Sequence, residues 1–131
     1  YHLPRENGVA TLRKIVSMLD SRGGVFFPLE YRHVASDTAW LSPFNSGPSA
    51  SIAIHAAVDE HFDFFFSEFE PVFLAAGGRP HWGKLNSLTN SQARDLYPYF
   101  LAFDEIRDTL DPTGKFLNPY LAELFGADHR A

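Results

Sequence analysis

The stretch Gly77-Gly78-Arg79-Pro80-His81-Trp82-Gly83-Lys84 constrains the fold most tightly. Two consecutive glycines accept positive φ and close whatever helix precedes them. Pro80 then holds Arg79 out of the helical region, so the chain must leave the glycines extended. A helix therefore ends near residue 76, and a strand or extended segment follows. In a strand, His81 and Gly83 share one face, and Trp82 and Lys84 share the other. A lysine beside a tryptophan, next to a glycine that lets the backbone approach closely, suits a pocket wall. The same spacing also suits an edge strand whose lysine reaches out to water.

Upstream, the hydrophobic period alternates between that of strands and that of helices. Residues 1–4 read as a short strand. Asn7 or Gly8 caps a helix with Val9, Leu12, Val16 and Leu19 on its apolar stripe, ended by Gly23-Gly24. Val25 to Ala35 reads as a strand with an edge or bulge at Pro28. Phe26, Glu30, Arg32 and Val34 lie on one face of it, and Tyr31 and His33 on the other. A Ser-, Pro- and Gly-rich loop carries Trp40 and Phe44. Ser51 to Val58 reads as the next strand, with Ile52, Ile54 and Val58 on the apolar face and His55 and Ala57 opposite. Asp59 caps a helix running to about Ala76, with Phe62, Phe65, Phe66, Phe69, Val72 and Phe73 as its buried stripe and a break before Pro71.

Strand–helix–strand–strand–helix–strand is the order of a split βαβ unit. It predicts an α+β fold: a ferredoxin-like antiparallel sheet with helices on one face, followed by a helical C-terminal tail. The other face of the sheet must be covered by something else. In the tail, a cap at Thr89, Asn90 or Ser91 opens an apolar run from Ala93 to Leu110, broken at Pro98 into two helices. Asp111-Pro112-Thr113-Gly114 forms a turn. Asn118-Pro119 opens a last helix, Tyr120 to Phe125, stopped by Gly126. The expected division is a substrate-side α+β domain over 1–84, incomplete at its N-terminus, and a helical tail over 85–131.

Composition narrows the function classes. A net charge of −5 argues against a nucleic-acid surface. With no cysteine there is no disulfide framework and no thiolate metal site, which is compatible with the cytoplasm and leaves peripheral membrane association open. The six histidines are scattered and form no standard ligand pair, so no metal site is expected. Thirteen phenylalanines imply a thick core or a large surface meant for another domain, or for a second copy of the chain. The abrupt start at Tyr1 reads as the middle of a strand, and the chain as a piece of a longer protein.

Three ordered motifs carry a resemblance. Arg79-Pro80-His81-Trp82-Gly83-Lys84 resembles a signature near the C-terminus of the sugar-lactone and alditol oxidases, the family of D-arabinono-1,4-lactone, L-gulonolactone and alditol oxidases. Leu29-Glu30-Tyr31-Arg32 through Trp40-Leu41-Ser42-Pro43 is similar to the family's Glu-x-Arg strand and its following loop. Asp111-Pro112-Thr113-Gly114-Lys115-Phe116-Leu117-Asn118-Pro119-Tyr120-Leu121 resembles its C-terminal tail. These are FAD-dependent enzymes of the vanillyl-alcohol-oxidase superfamily. The resemblance implies oxidation of a CH–OH group by hydride transfer to the flavin N5. It also implies a sugar lactone or polyol as substrate, and oxygen or another electron acceptor. FAD would be held mainly by an N-terminal domain whose glycine-rich loop this chain lacks, so the chain alone would be inactive. A non-catalytic ferredoxin-like module that binds a ligand or protein is the alternative.

The resemblance also assigns residues. Lys84, Arg32 and Glu30 become candidate catalytic groups, with Glu30, Arg32 and His55 contacting substrate and His81 and Asn118 the flavin. Each has a plainer reading. Glu30 and Arg32 at i and i+2 on a strand make a surface ion pair worth ~0–1 kcal/mol. His55 is equally a satisfied sheet histidine. His81 either meets the flavin edge or braces its strand. Asn118 serves equally as a helix cap. Ala57 falls where the family often carries a hydroxyl, which points to a different substrate.

Overall fold

The computed structural model describes residues 1–23, 29–57, 59 and 61–126. Two compact units divide the chain. One takes in 1–38 and 43–86, the other 39–42 and 87–131.

The first unit opens with β1 (His2–Pro4), which runs without a break into α1 (Arg5–Arg22). Next come β2 (Glu30–Val34), β3 (Ser49–Ala53), a π-helical turn (Phe65–Phe69) and α2 (Glu70–Ala75). The strands form an antiparallel sheet in the order β1-β3-β2. On the free edge of β1, His2 and Arg79 exchange both backbone hydrogen bonds, each 2.8 Å. The sheet is thus that of a ferredoxin-like unit, with its fourth strand shortened to one residue pair. Leu3, Ala50 and Ile52 point to the helices, and Leu3, Ile15, Ile52, Phe64, Phe69 and Phe73 form the core.

Glycine decides how α1 lies on the sheet. The sequence predicts Val9, Leu12, Val16 and Leu19 as the inward stripe. Leu12 and Leu19 do pack, partly buried, against the core, but Gly8, Thr11 and Ile15 are the buried residues, and Val9 and Val16 are 49% and 41% exposed. A Cβ on Gly8 would stand 2.4 Å from Ala50 Cβ and 2.7 Å from the Tyr31 hydroxyl. Helix and sheet therefore approach most closely at Gly8, which rotates the valines outward.

Pro71 explains the second helix. The helix expected from Asp59 begins about six residues later, and Phe62 is 40% exposed rather than part of a buried stripe. The Glu70 N–H reaches back five residues to the Phe65 carbonyl, so the π turn sits immediately before Pro71. The proline then occupies the first turn of α2, where its missing N–H costs little. Gly77 (φ 75°) and Gly78 close α2, their N–H groups donating to the Leu74 and Phe73 carbonyls at 3.0 and 2.8 Å. The expected strand beyond them is corrected to a turn. The Lys84 N–H donates to the His81 carbonyl at 3.0 Å, and the Gly83 N–H reaches the His81 ring nitrogen Nδ1 at 3.0 Å. Both other strands are shorter than expected, and Val25–Pro28 and Val58 lie outside the described residues.

The second unit is helical: α3 (Asn90–Leu96), α4 (Phe100–Leu110) and α5 (Pro119–Phe125). Thr89 and Gln92 form a capping box at the start of α3. The break at Tyr97-Pro98-Tyr99 lies where Pro98 predicts it. Phe100 stacks on Phe125 with centroids 5.1 Å apart, and Asp104, 4% exposed, holds Arg107 at 2.9 Å. The Asp111 carboxylate accepts from the Lys115 and Phe116 N–H groups at 2.8 and 2.9 Å, which fixes the turn before α5. Among the described residues no helix is long and apolar enough to cross a membrane.

Candidate active site

The sheet face away from the helices holds the first unit's chemistry. Directly paired residues of neighbouring strands share a face. The register Arg32↔Ser51↔His2 therefore sets one row across the sheet, and Glu30↔Ala53 lies beside it. His55 follows two residues after β3 ends. The row opens into a cleft of about 640 Å³ lined by Glu30, Arg32, Ser51 and His55, by His2, and by His81 and Lys84 from the turn after α2. The cleft also reaches past the sheet to its helix side, where its apolar lining is Phe62, Phe65 and Phe66 with the core residues Phe69 and Phe73.

Five of the six site residues that the sequence singles out meet on this cleft: Glu30, Arg32, His55, His81 and Lys84. Arg32 pairs with Glu30, as their shared strand face requires. Both side chains remain accessible, so the pair contributes about 0–1 kcal/mol to stability, and its value lies in aiming the guanidinium. Lys84 and His81 are exposed at the rim. The sixth residue, Asn118, belongs to the helical unit. Its Oδ1 accepts the Leu121 N–H at 2.8 Å and caps α5.

Three polar residues of the cleft escape the sequence. Tyr1 donates its hydroxyl to the Glu70 carboxylate, and the Tyr1 ring stacks on Phe73 at 4.8 Å. Glu70 is 4% exposed. This contact spans 69 positions, and no local pattern announces it. His2 was within reach. An inward Leu3 implies an outward His2, but the register that sets it beside Ser51 and Arg32 is a property of the folded sheet. Burial above all, with the neighbouring His81, lowers the His2 pKa from 6.5 to about 4. The imidazole is neutral near pH 7.

Behind the cleft, the buried Arg79 guanidinium donates to Asn45 Oδ1 at 2.6 Å and to Ser46 Oγ at 2.7 Å. Arg79 thus ties the 44–48 loop to the start of the turn that bears His81 and Lys84.

Residues 1–124 match the sequence profile of D-arabinono-1,4-lactone oxidase. The chain belongs to the D-arabinono-1,4-lactone oxidase family. It is 35% identical over 127 residues to the L-gulono-1,4-lactone dehydrogenase of Mycobacterium tuberculosis, covering 96% of this chain and 30% of that protein. It is 33% identical over 130 residues to the L-gulonolactone oxidase of Mus musculus, covering 94% of this chain and 29% of the other. With the alditol oxidase of a Streptomyces species it shares 31% over 127 residues, covering 95% and 30%. The chain thus spans about 30% of the length of these lactone and alditol oxidoreductases. The whole cleft falls within the part that matches the D-arabinono-1,4-lactone oxidase family.

Proposed function

We propose that this chain is the C-terminal, substrate-side portion of an FAD-dependent enzyme that oxidises a CH–OH group of a sugar lactone or alditol. The observation that carries the reading is the meeting of Glu30, Arg32, His55, His81 and Lys84 on one cleft. The relatives' names agree on lactones and alditols, and they include both oxidases and a dehydrogenase. Oxygen or another acceptor therefore takes the electrons.

The residues present fit one edge of a flavin. Lys84 and His81 at the rim offer a cation and an imidazole to an electron-rich ring edge. The phosphates need a cradle that this sequence lacks, so an N-terminal domain of the same protein would hold them. The tail helices would pack on that domain, and the Asn118 cap leaves its Nδ2 group for a flavin contact. FAD, when bound, supplies the hydride acceptor, at N5. Arg32 holds the oxygen of the reacting alcohol and stabilises negative charge there as the hydroxyl proton passes to solvent water at the open rim. Glu30 fixes Arg32 and accepts a hydrogen bond from a neighbouring hydroxyl. Lys84 places a second cationic side chain beside the same oxygen, and His55 positions a further hydroxyl. The phenylalanine lining excludes water from the helix side of the cleft.

The test is anaerobic addition of aldonolactones and alditols to the flavin-loaded full-length protein. Bleaching of the oxidised flavin absorbance is the expected result. An oxidised spectrum that survives both substrate classes would refute the reading.

A further inference from the structure

The Arg32–Ser51 row runs on through His2 to Arg79, and among the described residues the His2 ring has nothing to bind. His2 is 7% exposed, and neither of its ring nitrogens has a hydrogen-bond partner among the described residues. It is packed edge-on by Phe44, with centroids 4.7 Å apart, and has the His81 ring beside it, tilted by 49° at 5.7 Å. Buried polar groups without partners are rare and costly, and each calls for an explanation. A charged partner would have to be an anion, yet the lowered pKa of His2 keeps the ring neutral. A neutral imidazole offers one N–H donor and one bare nitrogen acceptor. That pair matches a hydroxyl, which also donates once and accepts. The ring belongs to the cleft wall, in the same cross-strand row as Arg32. The neighbouring His81 is exposed and lies on a turn rather than in a strand.

We propose that His2 is a specificity-determining residue of the cleft, which hydrogen-bonds one non-reacting hydroxyl of a polyhydroxylated substrate when the His81 ring moves aside. The proposal rests on the lactone or alditol oxidase reading. It adds that one hydroxyl, distinct from the one oxidised, is read by a neutral donor–acceptor group. His2 contacts substrate without taking part in hydride or proton transfer, so its loss acts on binding.

The test uses the flavin-loaded full-length protein, with D-sorbitol and its monodeoxy analogues as probes. His2→Phe keeps a flat ring and removes both nitrogens. It should raise KM for sorbitol about tenfold, leave kcat within twofold, and leave KM unchanged for the one deoxy analogue that lacks the recognised hydroxyl. His2→Gln, which restores a donor and an acceptor, should recover most of the loss. A readout free of turnover and of any variant is the 15N shift of the wild-type His2 ring, taken with the flavin pre-reduced. It should move on adding sorbitol and stay still with that analogue. If wild-type protein turns over sorbitol but His2→Phe has the same KM for every analogue and the ring shift is static, the His2 role is refuted alone. If wild-type protein oxidises neither alditols nor lactones, the functional reading fails and the His2 role fails with it.

Discussion

The two units of this chain spend their apolar residues differently. In the sheet unit, Leu3, Ile15, Ile52, Phe69 and Phe73 are at most 2% exposed, and the cleft carries four accessible polar side chains, Glu30, Arg32, His81 and Lys84, beside the exposed Phe62 and Leu85. In the helical unit, Tyr97 and Phe100 are fully buried, yet Leu101, Ile106, Leu110 and Phe116 are 52%, 49%, 78% and 81% exposed. Water penalises that second pattern unless something covers it. The contrast separates two jobs. One unit holds a formed cleft with charged groups, and the other offers apolar side chains suited to packing against the proposed flavin domain.

Substitutions can break or sharpen this contrast, and the largest stability effect belongs to the sheet unit. Gly8→Val should destabilise the chain by about 3 kcal/mol, because its side chain has no room against Ala50 and Tyr31. Urea unfolding measures this, and a loss under 1 kcal/mol would mean that α1 does not seat on the sheet through Gly8. In the helical unit Asn118→Ala should cost about 1 kcal/mol by freeing the Leu121 N–H. The same titration checks it.

A pH series probes the cleft. The His2 pKa is lowered in the folded chain, so between about pH 6.5 and 4 the unfolded chain binds a proton that the folded chain does not. Stability should fall as the pH drops through that window, and His2→Phe should flatten this part of the slope. Equal slopes in wild type and variant would show that His2 is not held neutral by burial. The smallest stability effect is expected at the exposed tail. Leu110→Ser combined with Phe116→Ser should leave stability within about 0.5 kcal/mol. It should nonetheless lower self-association of the 131-residue chain in light scattering. Unchanged scattering would argue that these side chains are ordinary surface.

Much of the site was readable because strand alternation is a local rule. Glu30 and Arg32 two apart had to share a face; His55, expected on the polar side of a strand to Val58, reaches the cleft from beyond the end of β3. Pro98 separated α3 from α4 and Gly126 ended α5 for equally local reasons. What escaped depended on the folded sheet or on distant contacts. Val9 and Val16 point outward because Gly8 alone lets α1 touch Ala50. The Tyr1–Glu70 contact joins the residue before β1 to the start of α2, 69 positions away. His2 became visible only once the register put it in the row of Arg32. The 81–84 turn replaced a strand because the His81 carbonyl and ring capture the Lys84 and Gly83 N–H groups.

The central claim is that the cleft around Glu30, Arg32 and Lys84 performs the oxidation. Its most direct test is stopped-flow measurement of both half-reactions in full-length Lys84→Met. Methionine keeps much of the length and apolar stem of lysine and removes the charge. Folding and FAD content should match wild type. Flavin reduction by substrate should slow by about 10²-fold or more, the usual scale for a lost acid–base or electrostatic group. Reoxidation of pre-reduced flavin should change far less. Wild-type reduction rates in a folded, flavin-loaded Lys84→Met protein would contradict the claim and leave Lys84 as a lysine that only reaches into water.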